Sequence, residues 1–83
     1  MTRQEIFEGL SEVLIATDPK KKEAVEKAAE SSALKADLGL DSIGMLYTAI
    51  GIEERFGVRL DDLDMDEKTS IGSIIDYIEE QLG

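Results

Sequence analysis

Eighty-three residues suffice for one domain with a small core. The chain has neither cysteine nor histidine, which excludes a disulfide framework, a thiolate metal site and any Ser-His-Asp catalytic arrangement. A formal net charge of −10 repels phosphate backbones, so nucleic acid is excluded as a partner, and no apolar run approaches the roughly 18 residues of a membrane span.

A single proline and 42% hydrophobic residues suit a compact helical chain rather than a disordered one. Thr2 and Glu5 have the spacing of a capping box, and Ile6, Phe7, Leu10, Val13 and Leu14 then recur at helical spacing. These residues predict a first helix over Arg3–Ile15 that buries this face. Asp18-Pro19 ends it and could begin another, since Asp suits a cap and Pro the first helical position. From Lys20 to Glu30 the residues are good helix formers, but the apolar ones are only Ala24, Val25, Ala28 and Ala29, so any helix there buries little. Lys20, Lys21 and Lys22 read as a solvated face near the first helix's C-terminal end, where the helix dipole favours cations.

The next signal is Asp37-Leu38-Gly39-Leu40-Asp41-Ser42-Ile43, leading into a helical run from Gly44 to Phe56. Asp41 and Ser42 suit the cap or first turn of that helix, and Gly39 lets the loop turn tightly. At about 100° per residue, Met45, Thr48, Ala49, Ile52 and Phe56 share one face and Ile43, Leu46, Tyr47 and Ile50 nearly the opposite one. A surface helix needs one apolar stripe; the second must be covered by more protein or offered to a partner, and so short a chain has little to spare. Gly44 and Gly51 fall on one side of this helix, where they either admit a close neighbour, such as the preceding loop or a partner, or simply weaken it.

Gly57 closes the helix. Beyond it Asp62, Asp64 and Asp66 have the spacing of the first half of a calcium loop, but Glu67 stands where its glycine belongs and Ser73 where its bidentate Glu belongs. A short helical turn anchored by Leu63 and Met65 in an acidic connector is the expected structure. Ser70 caps a last helix whose Ile71, Ile74, Ile75, Ile78 and Leu82 form a core stripe. Charge is unevenly placed: residues 1–36 hold seven acidic and six basic side chains, residues 37–83 twelve and three. That acidic half attracts basic protein surfaces. With no targeting segment, and with Gly83 closing the last helix, the chain reads as a free-standing cytoplasmic monomer.

Residues 37–43 resemble the D-x-G-x-D-S-[LI] attachment motif of acyl carrier proteins, and nearly the whole chain follows the pattern of that family. The resemblance implies an all-α bundle of three main helices plus one short helix, a single carrier domain over 1–83, and a long ordered loop whose Leu34 plugs into the core. It implies that Ser42, next to the motif's Asp41, is esterified by 4′-phosphopantetheine supplied from coenzyme A. The protein would then hold acyl groups as thioesters for the enzymes of fatty-acid, polyketide, non-ribosomal peptide or D-alanyl transfer pathways, without being an enzyme itself. Implied partners are a phosphopantetheinyl transferase and synthase or acyl-transferring enzymes with basic docking surfaces. Ile43, Leu46, Tyr47 and Ile50, flanked by Glu53 and Glu54, would meet them. Gly44 and Tyr47 depart from the pattern usual in fatty-acid carriers, where both positions are mostly acidic, so the pathway stays open. The rival reading is an unmodified acidic helical adaptor, which would use the same apolar face but not Ser42.

Overall fold

Capping groups set where the first helix begins. In the computed structural model, which describes residues 1–60 and 68–83, α1 spans Arg3–Thr17. Thr2 Oγ1 accepts from the Glu5 N–H at 3.1 Å, and Glu5 Oε1 accepts from the Thr2 N–H at 2.8 Å. These bonds hold the Glu5 carboxyl below its ordinary value. The expected capping box is present, and the helix runs two residues past Ile15. Ile6, Leu10, Val13 and Leu14 are buried as expected, while Phe7 packs at the edge of the core.

Asp18 serves both neighbouring elements. It ends α1 through its N–H to the Leu14 carbonyl, and its Oδ1 accepts from the Lys20 N–H to start a 3₁₀ turn over Pro19–Lys21. A short helix α2, Lys22–Glu26, follows and buries Val25 alone. Among the described residues, a short helix thus falls in the stretch that propensity left open. The turn expected around Leu63 and Met65 lies outside the described residues, as does most of the rejected calcium loop.

Helix α3, Ser42–Phe56, buries Met45, Thr48, Ile52 and Phe56, with Ala49 half-buried. Gly57 ends it in the left-handed conformation, φ 68°, its N–H donating to the Glu53 carbonyl at 2.9 Å. Helix α4, Ile71–Leu82, starts at a Ser70/Ser73 capping box and buries Ile71, Ile74, Ile75 and Ile78 completely. Leu82 corrects the expected stripe: it is 45% exposed, in the last turn of α4, where it borders a hollow with Met1, Ile6 and Glu79.

The glycines of α3 receive side chains rather than another backbone. A Cβ on Gly51 would stand 2.7 Å from Val13 Cγ1, and one on Gly44 3.3 Å from Leu40 Cδ2 in the preceding loop. Reciprocally, a Cβ on Gly9 of α1 would stand 2.7 Å from Phe56 Cζ. Helices α1 and α3 therefore interlock through two glycine notches, one on each helix.

The loop between α2 and α3 is ordered by α4. Leu34, fully buried, fills the core as expected, with Leu38 and Leu40 beside it. Ala33 and Ser70 form an isolated antiparallel bridge. Leu34 N–H donates to the Thr69 carbonyl at 3.0 Å, Ile71 N–H to Ser32 at 3.0 Å and Gly72 N–H to Glu30 at 2.7 Å. Arg3 joins this clip through Glu30 at 2.6 Å, Asp76 at 2.8 Å and a further pair with Glu79. No helix among the described residues is long and apolar enough to cross a membrane.

Candidate functional site

Two loop leucines set the position of Ser42. Leu38 and Leu40 are buried on either side of Gly39, whose φ of 70° provides the reversal between them. Asp41 then enters as the N-cap of α3: its Oδ1 accepts from the Gly44 N–H at 2.7 Å and its carbonyl from the Met45 N–H at 2.9 Å. Ser42 is consequently the first residue inside the helix, exposed to solvent.

That position has a definite chemistry. The early N–H groups of a helix lack intrahelical partners, and the side chain of Asp41 serves only the one at Gly44. A hydroxyl at the first turn is accessible for esterification, and an anion placed on it lies at the positive end of the helix dipole. A phosphodiester at Ser42 therefore fits. Among the described residues no three His, Cys, Asp or Glu side chains gather as a metal site.

Nothing among the described residues covers the second apolar stripe. Ile43, Leu46, Tyr47 and Ile50 are 64%, 59%, 58% and 43% exposed, on the face opposite Met45, Thr48 and Ile52. Ser42 lies at the N-terminal end of this stripe. The two flanking carboxylates differ. Glu53 is half-buried, and its Oε2 accepts from the Leu60 N–H at 2.9 Å, splinting the segment after α3. Glu54 is exposed beside Ile50.

Beside the stripe runs a surface furrow that sequence reasoning missed. Near Ser42 it is walled by Thr17, Asp18, Lys21, Gly39, Asp41 and Tyr47, with a volume of about 340 Å³. A second hollow of about 460 Å³ adjoins it along α1, lined by Val13, Ala16 and Thr17 on one side and Tyr47, Ile50, Gly51 and Glu54 on the other. Lys21 corrects the reading of Lys20–Lys22 as a uniformly solvated face. Its neighbours are exposed, but Lys21 is half-buried, its Nζ 2.9 Å from where a Cβ on Gly39 would stand. Nothing in the local sequence separates it from the lysines on either side; the contact exists only once the loop folds back on the 3₁₀ turn.

The family model for the phosphopantetheine attachment site matches residues 22–78 of this chain. The chain is 32% identical to an acyl carrier protein of Thermotoga maritima over 84 residues, covering 99% of this chain and 98% of the relative. It is also 32% identical to an acyl carrier protein of Renibacterium salmoninarum, with 93% and 91% covered. With a putative mitochondrial acyl carrier protein of Schizosaccharomyces pombe it shares 42% identity over 53 residues, 64% of this chain and 47% of the relative. The chain belongs to the acyl carrier protein family, and the attachment domain it contains is the one that bears covalently bound 4′-phosphopantetheine.

Proposed function

We propose that the chain is a single carrier domain over 1–83 whose Ser42 is esterified by 4′-phosphopantetheine, and that it presents acyl groups to successive enzymes without catalysing their chemistry. The observation that carries this reading is the coincidence of an exposed hydroxyl in the first turn of α3 with an uncovered apolar stripe that begins next to it. When bound, the arm supplies a terminal thiol that holds an acyl group as a thioester. Asp41 orients the first turn, so that Ser42 faces solvent and an anion on it is favoured by the helix dipole. Ile43, Leu46, Tyr47 and Ile50 provide the apolar contact to an enzyme. Glu54, and Glu53 where its splinting role leaves it free, meet cations on a basic docking surface. Holding the acyl group on a tether raises its effective concentration at each docked site.

The partners in this reading are a phosphopantetheinyl transferase and cytoplasmic synthases or acyl transferases of fatty-acid, polyketide or related biosynthesis. Gly44 and Tyr47 take two acidic positions off the docking face, which favours enzymes whose surfaces carry an apolar or aromatic pocket beside their cations.

Intact mass after incubation with coenzyme A and a broad-specificity phosphopantetheinyl transferase tests the proposal. The wild-type chain is expected to gain one phosphopantetheine, and Ser42→Ala to gain none while keeping the wild-type helical circular dichroism. A folded wild-type chain that gains no mass with several transferases would overturn the carrier reading in favour of an adaptor, whose partner Ser42→Ala would still bind.

A further inference from the structure

We infer that Lys21 is a positioning residue for the loading of Ser42: its ammonium pairs with the pyrophosphate of coenzyme A during the transfer. The inference rests on the attachment proposed above and concerns how this chain meets the coenzyme that supplies its arm.

The transfer sets the requirement. Ser42 Oγ bonds to the phosphorus that carries pantetheine, and the bond from that phosphorus to the bridging oxygen of the pyrophosphate breaks. The leaving 3′,5′-adenosine bisphosphate takes the electron pair, and the hydroxyl proton passes to a base of the transferase. Coenzyme A is a polyanion, and its pyrophosphate must reach Ser42 on a chain of net charge −10. Like charge opposes that approach, so a cation beside the serine favours it.

Lys21 occupies that position. It lines the furrow together with Asp41, Ile43 and Gly44, which stand on both sides of Ser42 in the chain, and it is the one cation among the described residues that line it. Lys21 takes part in no ion pair among the described residues. The two carboxylates that share the furrow are engaged elsewhere: Asp18 Oδ1 accepts from the Lys20 N–H and Asp41 Oδ1 from the Gly44 N–H. Its Nζ is nonetheless held at the protein surface, 2.9 Å from where a Cβ on Gly39 would stand, so a side chain at position 39 would push the ammonium aside. A half-buried ammonium with no partner of its own is open to a phosphate oxygen. Lys21 also stands outside the apolar stripe of α3, which makes its part in loading separable from enzyme docking.

Loading rates followed by intact mass test this, with a broad-specificity phosphopantetheinyl transferase and coenzyme A as the varied substrate. Lys21→Gln is expected to lower kcat/KM roughly twofold to fivefold, the scale of one partly exposed ion pair. Lys21→Arg should restore most of the loss, and Lys22→Gln, at the exposed neighbouring position, should load as the wild type does. Dephospho-coenzyme A keeps the pyrophosphate and lacks the 3′-phosphate, so the ratio of wild type to Lys21→Gln should be the same with it. Calorimetric affinity for the transferase without nucleotide should be unchanged in Lys21→Gln. Apo amide spectra that match the wild type away from position 21 establish that the variants fold. Equal loading by Lys21→Gln overturns the inference, as does a defect shared by Lys22→Gln, one that disappears with dephospho-coenzyme A, or one matched by an equal loss of affinity for the nucleotide-free transferase. A wild-type chain that gains no mass overturns it together with the carrier reading.

Discussion

Thr48 has no exposed surface, and its Oγ1 has no hydrogen-bond partner among the described residues. A buried unsatisfied polar group costs about 1–3 kcal/mol. Thr48→Val removes that cost and adds a buried methyl, so urea unfolding is expected to show a stability gain of about 1 kcal/mol with the denaturant slope unchanged. A loss would mean that the hydroxyl bonds a carbonyl of the preceding turn in solution. Glu5 poses the opposite case, because hydrogen bonds from Thr2 to its ionised form lower its carboxyl below the unfolded value. A lowered carboxyl stabilises the fold above the unfolded value, and that contribution disappears as pH falls through the folded one. The stability gap between wild type and Glu5→Ala is therefore expected to narrow on acidification through and below the ordinary Glu range. A gap independent of pH would remove the charge from the account of the cap.

Helices α1 and α3 depend on notches that propensity alone would fill. Alanine at position 51 recovers about 1 kcal/mol of helix propensity, but its Cβ would stand 2.7 Å from Val13 Cγ1, and a β-branched side chain in a helix cannot turn away cheaply. Overpacking typically costs about 1–3 kcal/mol, so Gly51→Ala is expected to destabilise the chain by about 1 kcal/mol in thermal or chemical unfolding. A gain would show that the helices separate without penalty. The sequence announced α1, α3 and α4 because each combines a capping residue with a long apolar period: Thr2 with Ile6 to Leu14, Asp41 with Met45 to Phe56, Ser70 with Ile71 to Ile78. Helix α2 has neither a side-chain cap nor more than one buried residue, so its periodicity carried no signal. The outer face of α3 was legible because an uncovered stripe is a property of one helix, whereas the furrow is made by two elements and a loop. Lys21 and Val13 enter it only through a packing that no single segment encodes.

At the scale of the whole molecule, Arg3 ties the beginning of the chain to Glu30 in the loop and to Asp76 and Glu79 on α4. Glu30, and after it Asp76, hold the guanidinium above its already high ordinary value. All four side chains remain well exposed, so salt screens them. Arg3→Gln is expected to lower the melting temperature at low ionic strength, and the difference from wild type to shrink in concentrated salt; an unchanged difference would assign the effect to packing. The acidic half beyond residue 36 acts over longer range, and association with a basic enzyme is expected to slow as salt rises. The clip made by Ser70, Ile71 and Gly72 makes the placement of Ser42 depend on the docking of α4. The segment that delivers Ser42 is held by residues 37 positions further along the chain, as the bridge from Ala33 to Ser70 shows. Without residues 69–72 the loop keeps its internal bonds, such as Leu38 N–H to the Ala33 carbonyl and Leu40 N–H to that of Leu34, but loses the bonds that tie it to α4. If Ser42 is the loaded residue, a variant whose α4 does not dock is expected to load poorly although the serine and its motif are intact.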